Sequence, residues 1–164
     1  MSNFAYASPE TMRDWARGIM ESRDADFVIG PQDNPYLRRW WIIPRNESCN
    51  VYLHEIIRSD DDRAFHDHPW ANTSMLIDGR YVEHTPEGVF LREAGWVGSR
   101  GADALHRLEI LPGERAVSLF MTGPKVREWG FDCPKGWVHW RDFTGGVNGE
   151  LVGRGCGEHD EDAA

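Results

Sequence analysis

His66 and His68 stand two residues apart, with Asp67 between them, in the run Arg63-Ala64-Phe65-His66-Asp67-His68-Pro69-Trp70. On an extended strand, side chains at i and i+2 leave the same face, so this spacing turns two imidazoles toward one point. Residues 104–110 supply a third. Ala104, His106, Leu108 and Ile110 alternate there with Leu105, Arg107 and Glu109, which places His106 on the apolar, inward face. Three neutral imidazoles converging inside a protein suit a divalent ion such as zinc, iron, nickel, copper or manganese, with the remaining positions open to water or substrate. The same residues also have a plain reading: two polar side chains near a turn and one buried histidine bonded to backbone. His-x-His alone does not decide between them.

Other residues are candidates for holding a substrate. Arg63 and Arg107 flank the histidines, and a guanidinium takes an anionic group in a bidentate grip. Arg107 alternates away from His106. Arg63 is the better candidate, although strict alternation puts it opposite His66, so a bulge is needed to bring it inward. Trp70 and Tyr81 could wall a pocket or simply pack. His54 lies on a segment that is apolar on both faces and is expected to support the core, not to bind a metal.

These groups need a scaffold. Ser8-Pro9-Glu10 combines a capping hydroxyl, a proline at the first helical position and an acid facing the positive helix end. Met12, Trp15, Ala16 and Ile19 come next at helical spacing, predicting one amphipathic helix to about residue 22. After residue 36 short strands are expected at 37–43, 50–58, 63–68, 72–78, 80–85, 89–93, 104–110, 116–121, 128–132 and 137–143. Turn residues separate them, and Asp78-Gly79 has the chemistry of a two-residue hairpin. Strands at such regular spacing close into a sandwich or barrel. The expected division is a helix with its connector over 1–36, a barrel over 37–146, and a glycine-rich, acidic, flexible tail over 147–164.

Length and charge narrow the partners. The 164 residues suit one domain, and no apolar run is long enough to span a bilayer. A net charge of −9 with scattered basic residues argues against nucleic acid. The first residues lack a secretory pattern, and three cysteines are an odd, widely spaced set without metal-binding spacing. A reducing, cytoplasmic setting is expected.

The order of the histidines resembles the cupin superfamily. Its first motif runs His-x-His, three or four residues, Glu, six residues, Gly; here Asn72 and Gly79 stand after His66 and His68 at those intervals. His106 stands where the second motif contributes its histidine. The resemblance implies an all-β, double-stranded β-helix (jelly-roll) barrel with one N-terminal helix. It also implies a metal held by His66, His68 and His106, with iron first and zinc, nickel or manganese as alternatives.

Asn72 departs from the pattern, since an amide oxygen is a weaker, uncharged ligand than glutamate. The set is therefore similar to the three-histidine variants of thiol dioxygenase cupins, and Glu83 is a candidate to replace the missing carboxylate. His68 argues against 2-oxoglutarate oxygenases, whose pair resembles His-x-Asp or His-x-Glu. The runs 63–70 and 129–137 look similar to uncharacterised cupin-like proteins of bacteria and their phages. The activity that the resemblance implies is that of a mononuclear oxygenase-type enzyme acting on a small molecule. A binding or carbohydrate-sensing barrel and a metal-free epimerase are the alternatives. Cupins often pair through outer strands, so residues 37–43 with Trp40 and Trp41 are a candidate homodimer surface.

Overall fold

The computed structural model describes residues 7–60, 64–147, 149, 151 and 153–157. The helix α1 (Pro9–Ser22) starts as its sequence predicts, with the Ser8 hydroxyl accepting from the Thr11 amide at 3.1 Å. Met12, Ala16 and Ile19 pack against Trp40, Leu53, Ile77 and Val117. Full burial of a leucine such as Leu53 is worth about 1.5–3 kcal/mol, so this seam is a main anchor of the helix. Trp15, from the same apolar set, stays 37% exposed.

Eleven strands come after it among the described residues: β1 (Phe27–Ile29), β2 (Leu37–Trp41), β3 (Asn50–Ile56), β4 (Phe65–His66), β5 (Asn72–Thr85), β6 (Gly88–Glu93), β7 (Val97–Arg100), β8 (Arg107–Glu109), β9 (Ala116–Thr122), β10 (Gly130–Cys133) and β11 (Gly136–His139). A short helix, α2 (Trp140–Phe143), ends the series. The large antiparallel sheet runs β1-β2-β3-β9-β5-β6, with β7 and β8 also pairing with β5; the small sheet runs β11-β10-β4. Tyr52, His54 and Ile56 of β3 sit opposite Phe120, Ser118 and Ala116 of β9, and all six are buried. Leu53 and Val117 point the other way, under α1. The central strands are therefore covered on one face by the helix, while the other lines the interior of a curled half-barrel.

Several expectations are corrected. β5 runs unbroken through Asp78-Gly79, so there is no hairpin; a register shift between Leu76 and Asp78 marks a bulge instead. Gly79 has φ +72°, and a Cβ there would sit 1.9 Å from the Arg115 carbonyl oxygen. Close approach of the neighbouring backbone, not chain reversal, demands this glycine. β1 and β7 lie outside the expected strands, and 137–143 divides into a strand and a helical turn. β2 is flanked by β1 and β3, and Trp40 is buried beneath α1 with its Nε1 donating to the Arg23 carbonyl at 3.1 Å. Residues 37–39 thus offer no free strand edge, while Trp41 is 37% exposed.

The described residues of the C-terminal segment are tied back to the rest of the chain. Gly145 bridges Leu151, the Gly155 amide donates to the Phe143 carbonyl at 3.0 Å, and Cys156 is disulfide-bonded to Cys133 across a separation of 23 residues. Closing a loop of that length contributes about 3 kcal/mol. The described part of the tail is therefore fastened to the small sheet, and residues 158–164 lie outside the described residues. A disulfide persists in oxidising surroundings, which removes the cysteine argument for a reducing compartment. No helix among the described residues is long and apolar enough to cross a membrane.

Candidate metal centre

His66 ends β4, where its amide donates to the His106 carbonyl at 2.9 Å and the His106 amide returns a bond to His66 at 3.1 Å. Residues facing each other across an antiparallel bridge share a face, so this pairing puts both imidazoles on one side. Asp67 fixes the phase of the alternation. Its carboxylate accepts from the Gly130 amide at 2.8 Å and the Trp137 indole at 3.0 Å, and pairs with Arg127 at 2.9 Å. With Asp67 turned into the small sheet, His66 and His68 face the interior. The His68 amide donates to Ala102 at 2.9 Å, and its ring stacks on Trp70 with 5.5 Å between centroids. The three rings form a triangle with centroid separations of 4.8, 5.0 and 5.2 Å, and one ligand nitrogen from each lies within 4.8 Å of the others.

Glu83, the candidate replacement for the missing carboxylate, is 1% exposed, and its Oε1 accepts from His106 Nδ1 at 2.9 Å. Arg92 donates to its other oxygen at 2.9 Å, and Arg100 donates to Oε1. Burial opposes ionisation, but the His106 hydrogen bond and the two guanidinium groups outweigh it and hold the carboxyl down at about 2. An ionised Glu83 therefore requires His106 to carry its proton on Nδ1. That leaves the Nε2 lone pair facing away, and Nε2 is buried without a hydrogen-bond partner. In this arrangement Glu83 stands behind the His106 ring and is not one of the three groups that converge.

Protonation also favours a metal. Burial lowers the pKa of His66, His68 and His106, with Arg100 adding to the effect on each, so all three rings are neutral near pH 7. Neutral imidazole is the ligand form. His68 Nδ1 is a second buried nitrogen without a partner. Two orphaned nitrogens and a third ring beside them fit a divalent ion, whose bonds to imidazole of about 2.0–2.1 Å would close the triangle slightly.

The triad lines a cavity of about 760 Å³. Trp70 and Tyr81 are also in its wall, Tyr81 buried with its pKa pushed up to about 12, chiefly by that burial, so its hydroxyl stays protonated. Asn72 is buried on β5 but is not part of the cavity wall; neither of its side-chain polar atoms has a partner. Arg63 lies outside the described residues. Arg107 turns outward toward His84 at 3.4 Å. Sequence reading missed Arg39, which lines the cavity from β2, although alternation from the buried Leu37 points it inward. Arg100 was missed because its strand was.

If Glu83 orients His106, Glu83→Gln should weaken metal binding about 10- to 100-fold with the fold intact, while His66→Ala, His68→Ala and His106→Ala should each remove most of the metal. Competition with a chromophoric chelator measures both, and unchanged affinity in Glu83→Gln would show that the carboxylate does not act through the ligand. The pH dependence has a definite sign. His54, His66, His68 and His106 all have pKa values below the unfolded value of about 6.5. The unfolded chain therefore takes up protons first as pH falls, and metal-free protein should be stable above about pH 7 and lose stability from about pH 6.5 downward. Denaturant titrations across pH 5–8 check this, and a flat profile would contradict neutral, buried rings.

No protein-family model matches the chain, and no curated protein is similar to it in sequence. Solved structures are similar in fold. A cupin-2 domain protein from Rhodospirillum rubrum superposes with a TM-score of 0.55 at 12% identity, over 67% of this chain and 76% of its own. The polyketide cyclase RemF from Streptomyces resistomycificus gives a TM-score of 0.52 at 13% identity, over 77% of this chain and 87% of its own. A chain from crystal structures of the DMSP lyases RdDddP and RnDddQII gives 0.47 at 16% identity over 58% of this chain. This protein spans about half of that one, 52% of its length. The curled antiparallel sheets and the two superpositions with TM-scores above 0.5 identify the fold as a cupin-type double-stranded β-helix.

Proposed function

We propose that the protein is a mononuclear metal-dependent enzyme acting on a small molecule, with His66, His68 and His106 as the metal ligands. One observation carries the reading. Three imidazoles are held neutral by burial in the wall of a cavity large enough for a substrate, and one of them is locked in its ligating tautomer by Glu83. The large majority of buried side-chain polar atoms are hydrogen-bonded. Here the unpartnered His106 Nε2 and His68 Nδ1 belong to the cluster itself.

A divalent ion in this site would supply Lewis acidity or, as iron, oxygen chemistry, with positions beyond the three protein ligands open to substrate. The chain's own residues would do the rest. Glu83, clamped by Arg92 and Arg100, keeps His106 from rotating. Trp70, Phe120, Trp129 and Phe131 form apolar walls that exclude water from the reacting groups. Tyr81, protonated at neutral pH, can donate a hydrogen bond to an oxygen that gains negative charge.

A binding or sensing barrel would use the same cavity without turnover, and fold alone does not separate the two. Iron is the proposed ion, with zinc, nickel and manganese as alternatives. Metal analysis of protein from its natural host, followed by anaerobic loading with ferrous iron and exposure to nitric oxide, tests this. The proposal expects one equivalent of metal and the electron-spin resonance signal of a high-spin iron complex with nitric oxide. Native zinc or nickel, with no such signal from the iron form, would replace oxygen chemistry with Lewis-acid chemistry. Absence of any metal with all three histidines intact would overturn the metal centre.

A further inference from the structure

Arg39 projects from β2 into the cavity that holds the histidine triad. Its Nε donates to His54 Nε2 at 2.8 Å, and its guanidinium lies over the Tyr52 ring at 4.7 Å and near Phe27 at 6.0 Å. None of these partners is a carboxylate. Burial lowers the His54 pKa well below its usual value, with the charge of Arg39 adding to the effect, so His54 accepts the hydrogen bond and carries no charge. Other arginines of the barrel have carboxylates: Arg38 and Arg115 on Glu55, Arg80 on Glu114, Arg92 and Arg100 on Glu83. Arg39 has none among the described residues, and its two terminal nitrogens make no hydrogen bond there.

A desolvated cation without an anion is costly, and proteins rarely keep one without a use. Burial lowers Arg39 to about 10, which still leaves it charged at neutral pH, so the cost is not removed by losing the proton. His54 acts as a positioning residue. By taking Nε–H it turns the two terminal nitrogens outward as a fork, the geometry that grips a carboxylate through two parallel bonds. The Phe120 ring links this fork to the metal centre, stacked on His54 at 5.0 Å and tilted against His68 at 6.2 Å. A molecule spanning that ring would meet the guanidinium at one end and the triad at the other. Between them the cavity wall is mostly apolar, with Phe27, Ile56, Phe120 and Trp70.

We propose that the ligand of this cavity is a small carboxylic acid with an apolar body, its carboxylate bound by Arg39 and its far end directed to the histidine triad. The part concerning the triad rests on the metal-dependent reading; the Arg39 carboxylate site stands without it. Arg39 is the cavity guanidinium whose terminal nitrogens make no hydrogen bond among the described residues, and one such fork suits a singly charged group. Arg58, which also lines the cavity, already donates to the carbonyls of Asn34 at 3.2 Å and Ser59 at 3.3 Å.

The test uses full-length protein stripped of metal by a chelator, so that a carboxylate cannot bind through the ion. Phenylacetate, phenylacetamide and phenyl phosphate serve as probes, with affinities measured by calorimetry and ligand-observed NMR. Phenylacetate is expected to bind about 10- to 100-fold more tightly than the isosteric amide, as a charge-assisted pair in a desolvated site requires. Arg39→Gln should abolish that preference, and Arg39→Lys, which keeps the charge but loses the fork, should retain part of it. Equal binding of acid and amide to the unaltered protein, or no binding of either, would overturn the proposal without recourse to any variant. A preference that survives in Arg39→Gln would do the same, and phenyl phosphate outbinding phenylacetate would reassign the site to phosphate esters. Because no metal is present, these outcomes are independent of whether the triad binds one.

Discussion

Two backbone hydrogen bonds, from the His66 amide to the His106 carbonyl and back, join the small sheet to the strand leading into β8. The rest of the site depends on that bridge. It sets two imidazoles side by side by the geometry of antiparallel pairing, and it requires β4, only two residues long, to be held in register from its other edge. β10 does so through Phe131 and Asp132, and Asp67 completes the hold by accepting from Gly130 and Trp137. The C-terminal segment is therefore part of the site's construction. The Cys133–Cys156 disulfide, the α2 turn and the packing of Phe131 on Phe143 keep β10 in place.

Electrostatics adds a second constraint. The three rings are neutral; of the carboxylates beside them, Glu83 is matched by two arginines and Asp60 lies 3.6 Å from His66 Nδ1. Three neutral rings do not themselves cancel the charge of a bound dication, which would remain available to polarise a substrate or to attract an anion. The cavity also contains a cation without an acidic partner, Arg39. The whole chain carries a net charge of −9, so Arg39 is a local, internal exception, and the proposed acidic ligand answers it.

Local signals were legible in the sequence. The capping residues of α1, the turn residues between strands and the alternation through Leu108 and Ile110 each depend on neighbours a few positions away, and the structure obeys them. Relations set by tertiary contact were not. Asp78-Gly79 has hairpin chemistry, yet β9 lies alongside and the chain continues; only the Arg115 carbonyl against Gly79 explains the glycine. Glu83 looks like an ordinary strand residue until Arg92, Arg100 and His106 converge on it from 9, 17 and 23 residues away. Cys133 and Cys156 could not be paired by spacing. Arg39 alternates inward with Leu37, but its lack of a carboxylate becomes visible only in the folded chain, where Arg38, Arg80, Arg92, Arg100 and Arg115 meet theirs.

The central claim is that three histidines, and no other protein side chains, present nitrogen to one ion. X-ray absorption spectroscopy of metal-loaded protein tests it most directly, because imidazole rings give a characteristic multiple-scattering pattern that can be counted. The account predicts three imidazole nitrogens at about 2.0–2.2 Å, completed by oxygen donors, and two in His106→Ala. A shell containing sulfur, or one without imidazole scattering, would contradict it.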